Sequence, residues 1–195
     1  DLNEATAYIS SDTQLTKEQV AFEPYDLVYK GDFNKWRKFA NSLKLRIAVR
    51  ISNVEPTMAR ALAEQSVRDG VIEENEDNCA IRYNKSGLWT TAVSWGDSRI
   101  CADIESYMMG YKDPRMSKYF LQPITESERK YIGCRAGAAI GSNVVAKRLY
   151  STVNVQETTP GLWLTASEMA FCKAEGVLRG WNMGGGSAKN YYEQG

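Results

Sequence analysis

The stretch from residue 25 to residue 51, YDLVYKGDFNKWRKFANSLKLRIAVRI, restricts the fold more than any other part of the sequence. It opens on a turn-like Lys30, Gly31 and Asp32 and runs into a long helical pattern with Trp36 near its start. At about 100° per residue, Trp36, Phe39, Ala40, Leu43, Ile47 and Ile51 fall on one stripe, the spacing of a core-facing helix. Leu45, Ala48 and Val49 lie elsewhere on the wheel. Apolar residues on two sides require packing partners on two sides, as in a stack of helices.

The ends of this helix and of the next are marked by cap chemistry. Asp32 or Asn34 is placed to accept hydrogen bonds from the first free amides. The helix ends near Asn53, and Pro56 suits the first turn of a second helix. Ala59, Leu62, Ala63 and Val67 then face the partner, and Gly70 is a natural stop. Two helices joined by a short loop form a hairpin, the unit of helical repeat stacks. The order Trp36-x-x-Phe39-Ala40-x-x-Leu43 matches the start of a tetratricopeptide helix pair. A second hairpin is expected over residues 162–195, with a helix from about Leu162 to Arg179, a joint at Gly184, Gly185 and Gly186, and Ser187 as the next cap.

Between the hairpins the pattern changes. Residues 1–24 begin with a helical piece, DLNEATAYIS, followed by a polar run ending at Pro24. Residues 71–96 read as loop with short extended pieces. A helix resumes near Asp97, carries Ile100, Cys101, Ile104 and Met108, and ends at Gly110. Asp113 and Pro114 break it before a short helix near Met116. Residues 121–160, rich in Gly, Pro and Ser, read as long irregular surface.

Four blocks together resemble the SusD/RagB family of nutrient-binding outer-membrane lipoproteins of the Bacteroidetes. They are the helix GDFNKWRKFANSLKLRIAVRI; Asp69, Gly70, Val71 and Ile72 followed by residues 75–78; Asp113, Pro114, Arg115 and Met116; and Glu168, Phe171, Ala174 and Glu175 with Gly180 and Trp181 behind them. The resemblance implies an all-α, tetratricopeptide-like fold with long irregular insertions. It also implies that residues 1–195 are a single SusD-like domain fragment, incomplete at both ends, from a protein with a lipid anchor that this fragment lacks. Such proteins capture glycans or other nutrients at the cell surface and act as a lid on a SusC-like TonB-dependent transporter.

Composition narrows the chemistry. The chain has 195 residues, 43% hydrophobic and 25% charged, ordinary for a globular domain with a real core. Its 24 basic and 24 acidic residues cancel, so it lacks the charge of a nucleic-acid binder. There is no histidine, which removes Ser-His and Cys-His nucleophiles and most catalytic zinc sites. The four cysteines, Cys79, Cys101, Cys134 and Cys172, form no C-x-x-C pair. Cys101 and Cys172 read as free thiols in apolar helical settings, and a disulfide of unspecified pairing stays open. No apolar run approaches the ~20 residues of a membrane span and no signal-peptide pattern is present, so export is implied by the resemblance alone.

Three constellations offer groups suited to chemistry. Glu168 and Glu175 project from one helix, roughly 10 Å apart along its axis. Inverting glycosidases hold two carboxylates roughly 6.5–9.5 Å apart, so side-chain flexibility reaches that range. Their apolar neighbours Leu164, Phe171 and Leu178 favour a structural role. The acidic residues 73–78 offer oxygens for calcium but lack EF-hand spacing, and read as a solvated turn. Residues 137–141 have glycines without the Lys-Ser/Thr of a phosphate loop.

Aromatics are the better lead. Sugar rings stack apolar C–H faces on Trp and Tyr while their hydroxyls take amide or carboxylate partners. Trp89 and Trp95 lie in the expected loop 83–96 with Tyr83 and Asn84, and these four are the candidate ligand-binding residues. Trp36 and Trp163 are expected in the core. Arg46, Arg50, Glu168 and Glu175 fall on apolar helix faces and are expected as buried structural charges, with a glutamate pairing to Arg46 or Arg50. The reading is a non-catalytic glycan- or nutrient-binding protein with no cofactor, no metal and no nucleic-acid partner. The alternatives are a tetratricopeptide-like protein-binding scaffold and a carboxylate-dependent glycoside hydrolase.

Overall fold

The computed structural model describes residues 1–10 and 21–195. Residues 11–20, most of the polar run before Pro24, lie outside the described residues. The chain forms two compact units, one of residues 1–81 and 161–195, the other of residues 82–160.

The first unit is organised around the helix read from the sequence. An α1 helix, Leu2–Ser10, precedes α2, Phe33–Ile51, and α3, Pro56–Asp69. The Asp32 carboxylate caps α2, accepting from the amides of Asn34 and Lys35 at 3.0 and 3.1 Å. Pro56 sits in the first turn of α3, and Gly70 ends that helix with φ +95°. A side chain strains such a backbone, which is why glycine stands there.

The face that α2 buries differs from the expected stripe. Ala40, Asn41, Ser42, Lys44, Leu45 and Ala48 are buried, whereas Ile47 is 39% exposed. Packing explains the shift. α2 lies against α1 and α3, and α3 offers the small buried residues Ala59, Ala63 and Ser66. Close approach selects small residues at the contact and moves Trp36 and Phe39 to its rim. There Trp36 meets Tyr29 and Phe39 edge-on, at ring separations of 5.2 and 5.5 Å. Polar residues in the contact are tied to backbone. Ser42 Oγ accepts from the Ile72 amide at 2.8 Å, and Asn41 Nδ2 donates to the carbonyls of Asp69 and Gly70.

The hairpin is extended by a second one. A strand β1, Cys79–Ile81, pairs antiparallel with Gly161–Leu164, where the sequence pattern predicts the start of a helix. The helix there begins only at Ala166, where Thr165 caps it by accepting from the Glu168 amide. Extended pairing buries Leu164 to 1% exposure while Leu162 and Trp163 turn outward. Trp163, expected in the core, is therefore 60% exposed. The helix Ala166–Leu178 packs on α2 and on a short closing helix Ala188–Gln194 capped by Ser187. Its buried face is Met169, Ala170, Lys173, Ala174 and Gly176, so Phe171 and Leu178 face outward instead of joining Leu164.

The second unit is built from shorter pieces. In chain order its helices are α4, Gly87–Trp89, α5, Ala102–Gly110, α6, Met116–Tyr119, and α7, Asn143–Leu149. The helices described above over Ala166–Leu178 and Ala188–Gln194 are then α8 and α9. Strands β2, Phe120–Leu121, and β3, Thr152–Val153, pair antiparallel, and β4 is Gly161–Leu164. α7 and β3 thus fall within residues 121–160, expected to be irregular throughout. The core here is Ile100, Met108, Met116, Phe120 and Tyr131.

All four cysteines are free thiols, with Cys79 buried and the others half-buried. Burial, aided by the charges of Glu168 and Glu175, pushes the Cys172 thiol up to about 11. The acidic turn around Asn75–Asp77 is tied down by lysines: Asp77 pairs with Lys38 and, at 3.4 Å, with Lys35.

One backbone contact in the second unit allows a sharp test. Cys134 bridges the segment around Cys101, its amide bonding to the Ile100 carbonyl and its carbonyl accepting from the Ala102 amide. A Cβ at Gly133 would lie 2.5 Å from the Ala102 Cα and 2.7 Å from the Cys101 carbonyl oxygen. Backbone cannot yield as a flexible side chain does. Gly133→Ala is expected to destabilise this unit by about 1–3 kcal/mol, the range for overpacking. Amide hydrogen exchange at Ala102 and Cys134 should accelerate; unchanged protection there would refute the contact.

Candidate functional site

Within the expected loop 83–96, residues 87–95 are helical and only residues 83–86 before them are irregular. Ser86 caps α4, its hydroxyl accepting from the Trp89 amide, and α4 runs directly into a π-helical turn, Thr90–Trp95. Gly96 closes it in the left-handed region at φ +81°. Turns of this kind are rare and occur frequently at functional sites.

This turn is anchored along its length. The Ala92 carbonyl accepts from Arg99 Nη2 at 2.6 Å and from the Thr152 hydroxyl at 3.3 Å. Lys147 Nζ donates to the Ser94 carbonyl at 2.7 Å, and Asn143 Nδ2 to the Trp95 carbonyl at 3.2 Å. The Thr91 carbonyl takes the amides of Asp97 and Ser98. Wide π-type spacing frees carbonyls from their usual partners, and α7 side chains fill several of those vacancies. The Arg99 guanidinium is held below its ordinary pKa by burial.

On this support Trp95 is 57% exposed. Trp89, one helical segment earlier, is half-buried, with Lys85 Nζ 5.5 Å from its ring centre. Tyr83 is half-buried and Asn84 exposed just before it. Among the described residues no ring contact joins Trp89 to Trp95, so the two rings are separate faces of one rigid segment. Ser94, Asp97 and Asn143 are exposed polar neighbours in sequence or by contact. Asn143 and Lys147 escaped the sequence reading, because nothing in the local pattern of α7 ties it to a turn some 50 residues earlier.

The candidate carboxylates are arranged otherwise. Glu168 takes a two-pronged contact from Arg46, Nε and Nη2 each at 2.6 Å, while Nη2 also donates to the Trp163 carbonyl at 3.0 Å. Both side chains are about one-third exposed, 31% and 38%, rather than buried. Glu175 instead pairs with Arg179 of its own helix at 2.7 Å. Arg50 is exposed, since the α2 face that carries Ile47 turns outward and Arg50 follows it one turn later. Each glutamate thus has its own arginine, and the two do not converge on a cleft. Among the described residues no acidic or cysteine cluster suited to a metal ion is present, and no helix is long and apolar enough to cross a membrane.

The profile of the SusD-like family, Susd and RagB outer membrane lipoprotein, matches residues 1–195, and the chain belongs to this family. A SusD homologue from Bacteroides thetaiotaomicron VPI-5482 is 38% identical with a TM-score of 0.90, over 99% of this chain and 40% of that one. A chitin-binding SusD homologue from Flavobacterium johnsoniae is 36% identical with a TM-score of 0.82, over 99% of this chain and 41% of that one. A SusD homologue from Bacteroides ovatus ATCC 8483 is 32% identical with a TM-score of 0.80, again over 99% and 41%. The chain therefore spans about two-fifths of the length of these relatives. No curated protein sequence matches it. Its mainly helical architecture, with tetratricopeptide-like hairpins and irregular insertions, is the one these relatives share.

Proposed function

We propose that this chain is the part of a SusD-like surface lipoprotein that captures glycan without covalent chemistry, with Trp95 as the principal stacking face and Trp89 as a second. The observation that carries this is the exposed Trp95 ring on a clamped π-turn. An exposed ring offers a sugar an apolar face, and unlike the exposed Trp163 it sits on an anchored turn, which loses little entropy on binding. Family membership supports the reading, as does the chitin-binding homologue. Tyr83 and Asn84 add an aromatic edge and an amide for sugar hydroxyls. The separate engagement of Glu168 and Glu175 speaks against paired-carboxylate hydrolysis. Attachment to the outer membrane and partnership with a TonB-dependent transporter are what the family implies for the whole protein.

Affinity gel electrophoresis and calorimetry of the full-length protein with chitin oligosaccharides and other soluble glycans test this. Trp95→Ala is expected to weaken binding about tenfold, equal to ~1.4 kcal/mol. Trp89→Ala should have a smaller effect. Unchanged glycan retention in the double variant would end the proposal, and release of shortened glycan would point to the hydrolase reading.

A further inference from the structure

Within the first unit, α1, α2 and α3 border an open cavity of about 330 Å³, lined by Asn3, Thr6, Arg37, Asn41, Lys44 and Asp69 among others. That is the lower end of the roughly 300–1,000 Å³ of small-molecule sites. Its wall carries one cation whose bonding is incomplete, and two unpaired polar atoms lie sealed behind it. Lys44 is 4% exposed, and its ammonium reaches only neutral oxygens, Thr6 Oγ1 at 3.3 Å and Asn3 Oδ1 at 3.5 Å. Among the described residues no carboxylate lies within ion-pair distance of it. A buried cation without a counter-charge is costly. Arg37 Nε is closed to solvent with no acceptor. Asn41 is fully buried, and its Oδ1 has no donor. The amide orientation is fixed, because Nδ2 already donates to the carbonyls of Asp69 and Gly70.

These groups specify a ligand. Among the described residues of the wall, two cations, Arg37 and Lys44, face one acid, Asp69, a balance of one positive charge. The exposed carboxylate of Asp69 calls for hydroxyl donors on the same molecule. A bare inorganic anion supplies acceptors but no donors, and Asp69 repels it. We propose that this cavity is a second ligand site that takes a hydroxylated monocarboxylate of about monosaccharide size, its carboxylate on Lys44 and Arg37 and its hydroxyls on Asp69. The site does not involve Trp95 and does not depend on the glycan-capture reading.

The test uses the full chain, with D-glucuronate as the probe, D-glucose as the neutral control and sulfate as the bare anion. In the Trp89→Ala/Trp95→Ala background, which removes the aromatic faces, glucuronate should raise the melting temperature and give a calorimetric signal, and glucose should give neither. Lys44→Met, which keeps the length of the side chain without its charge, should weaken glucuronate binding at least tenfold. Should that variant fail to fold, Arg37→Gln at the cavity wall carries the same expectation. Trp95→Ala should bind glucuronate as the wild type does, which separates this site from the aromatic one. The inference is overturned if glucuronate has no effect, if its effect survives both Lys44→Met and Arg37→Gln, or if sulfate stabilises equally and an adventitious ion only is at work.

Discussion

Replacing Asp26 by alanine is expected to destabilise the first unit by roughly 3–4 kcal/mol. Asp26 is 6% exposed and gathers four donors. Its Oδ1 accepts from the amides of Val28 and Tyr29 at 2.9 and 3.1 Å, and its Oδ2 from the Gly31 amide and the Trp36 indole, each at 2.8 Å. These bonds shape the turn before α2, where Lys30 and Gly31 both adopt positive φ, +53° and +79°. A lysine in that region is strained, so the turn depends on the carboxylate that organises it. Alanine would leave donors without acceptors at about 1–3 kcal/mol each, partly relieved by entering water.

The pH dependence of this contribution has a definite sign. Burial works to raise the Asp26 carboxyl, but the hydrogen bonds from Gly31, Trp36, Val28 and Tyr29 outweigh it and hold it below the usual carboxylate value. A depressed carboxyl contributes stability that is fully present above its unfolded value of about 3.9 and is lost as pH falls through the folded value. Urea unfolding followed by tryptophan fluorescence should show a constant gap between wild type and Asp26→Asn from about pH 5 to 8. That gap should narrow below about pH 4. A gap independent of pH down to acid unfolding would show that the carboxylate charge does not hold the turn.

The same turn illustrates what sequence patterns reveal and what they hide. Asp32, Pro56, Gly70 and Ser187 act through local backbone chemistry, so the helix ends were legible from residue type and spacing. The buried face of α2 was not, because the wheel weights bulk, whereas close helix contact selects Ala40, Ser42 and Ala48. Lys44 was invisible for a related reason: a charged residue in a helix reads as solvated until a neighbouring helix covers it. Gly161–Leu164 is four residues long, too short to show alternation against a following helix. Trp89 and Trp95 stood out only because no helical stripe claimed them. The π-turn that carries Trp95 has no periodic signature, and two of its anchors come from α7, far along the chain.

The second unit should respond most to the loss of Arg129. Glu105 on α5 is 1% exposed, and the guanidinium of Arg129 is the cation that meets it. Breaking a fully buried ion pair from one side costs about 3–5 kcal/mol, because the remaining charge is left without compensation. Arg129 itself is 54% exposed, so water reaches its end of the pair and screens it. Arg129→Ala is therefore expected to destabilise the unit by about 2–3 kcal/mol. The double variant Glu105→Leu/Arg129→Ala should recover most of that loss, since a leucine removes the stranded carboxylate and adds apolar contact. Equilibrium unfolding of the single and double variants measures both effects; a loss below about 0.5 kcal/mol in Arg129→Ala would show that Glu105 is adequately solvated without it. Because this unit also carries Trp89 and Trp95, the comparison separates stability from recognition. Arg129→Ala should reduce glycan retention only by the fraction of molecules it unfolds, with the affinity of each folded molecule unchanged, whereas Trp95→Ala should lower affinity at full stability.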